Sequence, residues 1–168
     1  MRIGIYGGTF NPIHFAHLHD IAYACENADL DICHVMVAGD PWQKPNVEVD
    51  AMRRLKWVQT VASAYFPGGV FESRRKKSQI IIDDREIVRE GKTYTIDTLR
   101  SLKEQYENHE FVLIVGDDVP ENIKTWKDHD EILNMVELFV IPRSIMPISS
   151  TYIRDQVKAG KTIRGLVP

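Results

Sequence analysis

The sequence predicts an α/β fold, a Rossmann-like doubly wound parallel sheet that forms a single domain over residues 1–168. Short apolar stretches alternate with amphipathic ones along the chain, which is typical of βαβ units. FVLIVGDD, at 111–118, begins as an almost continuous apolar run, as in a strand that is buried on both faces of a parallel sheet. The 168 residues are 43% hydrophobic, which suits one domain with a proper core.

In the first half, the alternation in MRIGIYG predicts a strand over residues 1–7, followed by a glycine turn and a helix over 14–27. A second strand is expected over 32–38. The next helix begins at a cap formed by Asp50, carries apolar residues at helical spacing and ends before Pro67. Strand pieces are expected at 70–72 and 79–83, on either side of the basic loop SRRKKS.

In the second half, Thr95 is predicted to cap a helix whose apolar face includes Ile96, Leu99 and Leu102. The buried strand from 111 follows, and then two short helical pieces and a strand over 138–141. The last helix begins in ISSTYIR, at 148–154, and is expected to end near Gly160, which serves as its C-cap.

Composition and net charge argue against several classes of protein. The net charge of −3 argues against a nucleic-acid binder, and the basic loop SRRKKS is interpreted as solvated because no aromatic residues interleave with it. No apolar run is long enough to span a membrane, and the N-terminus does not resemble a signal peptide. Cys25 and Cys33 are interpreted as reduced thiols of a cytoplasmic protein, not as part of a disulfide framework or a zinc site. The sequence does not decide whether the protein forms a homo-oligomer.

Three conspicuous stretches follow predicted strands: GGTFNPIH, GDDVP and PRSIMPISST. The carboxyl ends of parallel strands meet at one edge of a sheet, and ligands of such folds bind there. We therefore expect these stretches to converge on one site.

The stretch GGTFNPIHFAH, at 7–17, predicts phosphate contacts. Gly7 and Gly8 allow a sharp turn and a close backbone approach, and the following helix directs its N-terminal amides at the same spot. His14 and His17 share the first helical turn, from which two imidazoles can donate hydrogen bonds to phosphate oxygens. No third ligand supports a zinc site. A capped turn with exposed histidines remains the alternative.

ISSTYIR predicts a second anion site. Ser149, Ser150 and Thr151 offer hydroxyls and free amides at a helix start, and Arg154 can hold two phosphate oxygens. Ordinary helix capping is the alternative.

Three further residues have both a functional and a plain interpretation. Lys44, in PWQKP, is interpreted either as a group that neutralises a leaving phosphate or as an ordinary surface lysine. Asp117, after Gly116, suits a ribose hydroxyl or a helix cap, although Asp118 is the better capping residue. Trp126 suits stacking on a flat ring or core packing.

Taken together, these motifs resemble those of the nicotinate/nicotinamide mononucleotide adenylyltransferases, and the resemblance covers nearly the whole chain. GGTFNPIHFAH is similar to the first signature of that family, and PWQKP to its proline-rich loop with a lysine. GKTYTIDTL and FVLIVGDDVPENIKTW resemble its next segments, and FVIPR and ISSTYIR complete the order. YTIDTL and Trp126 narrow the resemblance from the nucleotidyltransferase superfamily to the pyridine-nucleotide enzymes.

The resemblance implies that the phosphate of a pyridine mononucleotide attacks the α-phosphorus of ATP and that pyrophosphate leaves, with Mg²⁺ carried on the phosphates. It assigns the catalytic groups to His14, His17, Lys44 and Arg154. ATP would be bound by Gly7, Gly8, Thr9, Phe10, Gly116, Asp117, Ser149, Ser150 and Thr151. The mononucleotide would be bound by Thr95, Trp126 and Lys127, with Trp126 stacked on the pyridine ring.

The sequence departs from the family pattern at two places. Ala16 stands where a glycine usually precedes the second histidine, and PWQKP lacks the usual histidine before Lys44. The first hypothesis is a nicotinate mononucleotide adenylyltransferase; the amide substrate is the nearest alternative. A phosphopantetheine adenylyltransferase or a cytidylyltransferase is a second hypothesis, although the former has a threonine in place of His14. A non-catalytic dinucleotide sensor, suggested only by Ala16, is a third.

Overall fold

The computed structural model describes residues 1–44, 47–142 and 146–168. Its strands are β1 (Arg2–Gly8), β2 (Ile32–Val37), β3 (Val70–Glu72), β4 (Lys77–Asp83), β5 (Glu110–Gly116) and β6 (Glu137–Ile141). They form one six-stranded sheet in the order β3-β4-β2-β1-β5-β6. All pairs are parallel except β3 with β4, at one edge.

The helices in the described residues are α1 (Phe15–Asn27), α2 (Ala51–Tyr65), α3 (Arg85–Val88), α4 (Thr95–Gln105), α5 (Val119–Asn122), α6 (His129–Met135) and α7 (Ser150–Lys158). Short 3₁₀ turns occupy Pro67–Gly69 and Ile123–Thr125. None of the helices in this part of the chain has both the length and the apolar character needed to cross a bilayer.

A hydrophobic core covers each face of the sheet. On one face, α1 and α2 contribute Leu18, Ile21 and Val58. On the other, α4 and α6 contribute Leu99 and Ile132. Because helices cover both faces, all six residues of β2 are buried, which explains the continuous apolar runs in the sequence. The predicted doubly wound α/β fold is confirmed.

The direction of winding reverses beside β1. The chain passes from β1 to β2 and β4 on one side of the sheet, and β5 and β6 lie on the other side. Ligands of doubly wound sheets bind outside the carboxyl ends of the strands at such a reversal. The loops that follow Gly8 and Gly116 lie at this position.

The structure corrects two local predictions. Gly7 and Gly8 do not form the turn, because they belong to β1 and pair with Met36 and Val37 of β2. Thr95 does not cap α4; it is the first helical residue, and Tyr94 occupies the N-cap position.

The predicted cap at Asp50 is confirmed, since its carboxylate accepts a hydrogen bond from the Arg53 amide. Pro45 of PWQKP and residues 143–145 of FVIPR and PRSIMPISST lie outside the described residues.

Candidate active site

The turn after β1 is made by Phe10, not by the glycines. Phe10 has a φ of 49°, in the left-handed region that non-glycine residues rarely adopt, and its side chain is 1% exposed. Its ring lies against Gly8, where an added Cβ would be 2.7 Å from the ring. A Cβ on Gly7 would meet no atom within 4 Å, and Gly7 is exposed. Gly8 is thus required for packing, whereas Gly7 leaves open space at the strand end.

The two signature histidines form a stacked pair at the start of α1. Their ring centroids are 3.6 Å apart and their planes are inclined by 16°. The His14 amide donates a hydrogen bond to His17 Nδ1 over 3.2 Å. Because Nδ1 accepts, a neutral His17 carries its proton on Nε2. The edge-on ring of Phe10, 4.9 Å away between centroids, also supports His17.

Burial keeps both histidines neutral near pH 7. It lowers the pKa of His14 to about 4, and His14 is only 4% exposed. The pKa of His17 also lies well below its usual range, first because of burial and then because of His14 and the charge of Lys44. The pair can therefore donate hydrogen bonds as neutral imidazoles in the ligand-free protein. The alternative, a capped turn with exposed histidines, is not observed, because His14 is buried and His17 is half-buried.

The start of α7 is attached to the Phe10 turn. Ser149 caps the helix by accepting a hydrogen bond from the Tyr152 amide. The Ser150 hydroxyl donates to the Pro12 carbonyl over 2.9 Å, and Arg154 Nη1 donates to the Asn11 carbonyl over 2.7 Å. The N-terminal amides of α7 and the histidine pair are thereby brought to one place, although they are far apart in sequence.

Arg154 retains capacity for a ligand. Besides Asn11, its guanidinium donates to the Thr151 hydroxyl over 3.2 Å, and a guanidinium has five donors in all. Thr151 is itself exposed. A phosphate group at the start of α7 would meet these side chains together with the positive end of the helix dipole.

Two acidic residues follow the end of β5. Gly116 is the last residue of β5, and Asp117 and Asp118 follow as exposed residues before α5. Since β5 is paired directly with β1, Asp117 lies at the same sheet edge as the Phe10 turn.

The start of α4 and the loop after β2 meet at the same edge. Pro41 forms a parallel β-bridge with Thr93, and Lys92 pairs with Asp40 over 2.7 Å. Trp42 stacks on Tyr94, with ring centroids 6.2 Å apart. The loop that carries Lys44 is therefore held against the segment that precedes Thr95.

The Trp126 segment lies on this side as well. Trp126 is half-buried against the core of the α4 face. Lys127 Nζ lies 4.6 Å from the centroid of the Tyr94 ring and 3.4 Å from an Asp97 carboxylate oxygen. The Lys127 side chain is thus already engaged, and both residues lie beside the first turn of α4.

Among the described residues, no group of three or more His, Cys, Asp or Glu side chains is arranged to hold a metal ion.

A family model described as cytidylyltransferase-like matches residues 5–156. A probable nicotinate-nucleotide adenylyltransferase of Flavobacterium johnsoniae is 34% identical over 190 residues, which cover 100% of this chain and 92% of that protein. Its counterpart in Fusobacterium nucleatum is 33% identical over 191 residues, and the alignment covers 99% of this chain and 93% of that protein. This chain belongs to the nicotinate-nucleotide adenylyltransferase family. The resemblance predicted from its motifs is confirmed.

Solved structures of this family have the same fold. The nicotinic acid mononucleotide adenylyltransferase of Plasmodium falciparum, solved in complex with NaAD, superposes with a TM-score of 0.75 at 21% identity. The alignment covers 99% of this chain and 90% of that one. The same protein with APC gives a TM-score of 0.72 at 20% identity.

Ala16 departs from the family signature, and the structure shows where its methyl group goes. Ala16 is 5% exposed on α1, so the methyl is almost entirely covered by protein. It offers little surface that could obstruct a nucleotide in the open part of the site.

Arg54 lies at this sheet edge although none of the sequence motifs predicts it. It is the largest of the nearly inaccessible side chains, and it donates to the carbonyls of Thr9 and Gly39 beneath the site. A signal was available, because Arg54 precedes the buried Val58 and Ala62 at four-residue spacing and so shares their face of α2.

Proposed function

We propose that the protein is a nicotinate mononucleotide adenylyltransferase, which transfers AMP from ATP to nicotinate mononucleotide and releases pyrophosphate. The observation that carries the proposal is the meeting of the histidine pair, the α7 start, the β5 end and the α4 start at one sheet edge. The names of the relatives agree with this activity.

In the proposed reaction, a phosphate oxygen of the mononucleotide attacks the α-phosphorus of ATP. The bond from that phosphorus to the oxygen bridging to the β-phosphorus breaks, and its electron pair leaves with pyrophosphate. No covalent bond to the protein is needed, so the protein acts by positioning and by stabilising charge. Mg²⁺ bound to the ATP phosphates would offset part of their negative charge.

Two segments that hydrogen bonds join, the turn from β1 into α1 and the start of α7, provide most of the phosphate-binding residues. His14 and His17 donate hydrogen bonds to phosphate oxygens, and Gly7, Gly8, Thr9 and Phe10 line the approach. Ser149, Ser150, Thr151 and Arg154 hold the β- and γ-phosphates. Lys44 assists at the triphosphate or at the attacking phosphate, and Gly116 and Asp117 lie near a ribose. Support comes from the neutral imidazoles and from the spare donors of Arg154.

The start of α4 favours a carboxylate over an amide. Thr95 is the first residue of α4, and the N-terminus of a helix carries the positive pole of its dipole. The Lys127 ammonium lies beside the same helical turn, close to Asp97. The carboxylate of nicotinate gains from both charges, whereas the neutral amide of nicotinamide gains less. Asp97 offsets part of the Lys127 charge. Trp126 would stack on the pyridine ring, and amides near Trp126 and Lys127 would bind its substituent.

A two-substrate assay tests the proposal. Purified protein receives ATP and Mg²⁺ with either nicotinate or nicotinamide mononucleotide, and pyrophosphate release is followed. We expect release with both and faster turnover of the acid. No release with either would refute the enzyme activity, and faster turnover of the amide would reverse the assigned preference. CTP and pantetheine phosphate, added in separate reactions, are the controls for other acceptors and nucleotides.

A further inference from the structure

Arg54 is a buried cation whose hydrogen-bond partners are main-chain oxygens. Its side chain is 1% exposed. Nη1 donates to the Thr9 carbonyl over 2.6 Å, Nη2 to the Gly39 carbonyl over 3.0 Å, and Nε to the Val49 carbonyl over 3.0 Å. These carbonyls belong to the turn after β1, the loop after β2 and the segment before α2. One side chain therefore fixes three segments at the site edge of the sheet.

The charge of Arg54 is not neutralised by a direct partner. Burial lowers its pKa, and the charge of Asp50 acts in the opposite direction. Within residues 1–44, 47–142 and 146–168, no carboxylate lies within ion-pair distance of its guanidinium. An arginine stays protonated in proteins, so a positive charge remains beneath the turn.

The bond to Thr9 sets the direction of the next amide. In a planar trans peptide, the carbonyl and the following N–H point in opposite directions. Because the Thr9 carbonyl points at the guanidinium, the Phe10 N–H points away from it. In the part of the chain that the structure describes, the Phe10 amide has no hydrogen-bond partner. It is left for a ligand.

The unusual conformation of Phe10 requires support from both sides. A φ of 49° is unfavourable for phenylalanine and persists where neighbouring contacts impose it. Arg54 holds the carbonyl that precedes Phe10, and Arg154 holds the Asn11 carbonyl that follows it. Arg154 is exposed enough to meet ATP as well, whereas Arg54 is not.

We propose that Arg54 is a positioning residue for ATP: it holds the Thr9 peptide so that the Phe10 amide faces a phosphate oxygen, and it places an unpaired positive charge beneath that phosphate. It acts through the turn and does not touch the nucleotide. The inference rests on the proposed use of ATP.

Two substitutions separate the hydrogen bonds from the charge. Arg54→Lys keeps the charge but cannot hold three carbonyls in the fixed geometry of a guanidinium, and Arg54→Met removes both. Arg53→Met is the matched control, because Arg53 is exposed on the same helix. We expect kcat/KM for ATP to fall about 100-fold in Arg54→Lys and further in Arg54→Met. The KM for the mononucleotide should stay within about threefold, and Arg53→Met should match the wild type.

A spectroscopic measurement tests the amide contact directly in the wild type. Protein labelled with ¹⁵N-phenylalanine gives amide signals from six residues, and the Phe10 signal is identified by its loss in Phe10→Leu. In the wild type, ATP should shift the Phe10 signal strongly. In folded Arg54→Lys, the shift should be reduced at saturating ATP.

The outcomes distinguish this inference from the proposed function. Absence of turnover with an ATP-shifted Phe10 signal would refute the proposed reaction and support the amide contact. Normal turnover with an unmoved Phe10 signal in the wild type would overturn the inference alone. Wild-type kcat/KM for ATP in Arg54→Lys would also overturn it. An equal loss for both substrates in that variant would show that Arg54 only stabilises the fold.

Discussion

Single side chains at this site owe their chemistry to burial. His14 would be partly charged near its ordinary pKa, but burial lowers that pKa to about 4. His17 accepts from a backbone amide through Nδ1, which leaves the Nε2 proton as its donor. The pair therefore offers directed hydrogen bonds instead of full charges, and its effect depends on geometry.

Replacing His17 with alanine should lower kcat by about 100-fold or more, because a donor that stabilises developing charge is lost. Steady-state kinetics with both substrates measures the effect. His19→Ala is the control, since His19 is on the same helix, next to Asp20. Wild-type turnover in His17→Ala would return the stacked pair to a purely structural role.

The two signature glycines should respond differently to alanine. Gly8→Ala places a methyl 2.7 Å from the Phe10 ring and should destabilise the protein by about 1–3 kcal/mol. Gly7→Ala meets open space, so the free energy of unfolding should hardly change, while the KM for ATP rises about tenfold through obstruction of the ligand. Urea unfolding and kinetics on both variants test this. Unchanged kinetics in Gly7→Ala would exclude a close approach there.

At the scale of elements, the site depends on how α7 is attached to the turn before α1. Ser150 and Arg154 bind the carbonyls of Pro12 and Asn11, which are more than 130 positions away in sequence. The loop after β2 is attached in a similar way to the segment before α4, through Pro41 and Thr93. Each loop thus gains its shape from a neighbouring element.

Arg154→Ala should weaken ATP binding by about 10- to 100-fold, because hydrogen bonds to charged groups are lost at the start of α7. The mononucleotide, which is expected beside α4, should be affected much less. Calorimetric titration with each ligand separately measures both effects. Arg164→Ala, at an exposed position, is the control. Equal losses for the two ligands would contradict the assignment of Arg154 to the ATP phosphates.

For the whole molecule, buried titratable groups couple stability to pH. A histidine with a lowered pKa binds fewer protons when folded than when unfolded, so its contribution is present above about pH 6.5 and is lost as the pH falls towards 4. Asp83 affects the stability at a lower pH than the histidines do. Burial by itself raises its pKa, but hydrogen bonds from His34 and Arg85 hold it well below the usual range.

His14 should therefore lower the free energy of unfolding by on the order of 2 kcal/mol between pH 7 and 4.5. His14→Asn should remove that part of the pH dependence. Urea unfolding of both proteins at several pH values is the measurement, and each protein at pH 7.5 is its own reference. The same slope in the variant would show that His14 is not the source.

The local sequence was sufficient to predict most of the helices and strands and to recognise the family resemblance. The apolar run from Phe111 predicted a buried strand because a sheet covered on both faces admits few polar side chains. Asp50 predicted a helix start because its carboxylate satisfies a free amide nearby in the chain. The motifs around His14 and Ser149 indicated the nucleotidyltransferase superfamily, and YTIDTL and Trp126 narrowed it to the pyridine-nucleotide enzymes, because each is a contiguous segment.

Only the tertiary structure decided how these segments work together. The turn residue is Phe10 and not a glycine, because Arg54 and Arg154 hold its neighbouring carbonyls from other elements. The histidines are neutral because the fold buries them. Gly7 and Gly8 look alike in sequence, yet only the position of the Phe10 ring distinguishes them. These properties depend on contacts between residues far apart in the chain, which spacing and composition do not encode locally.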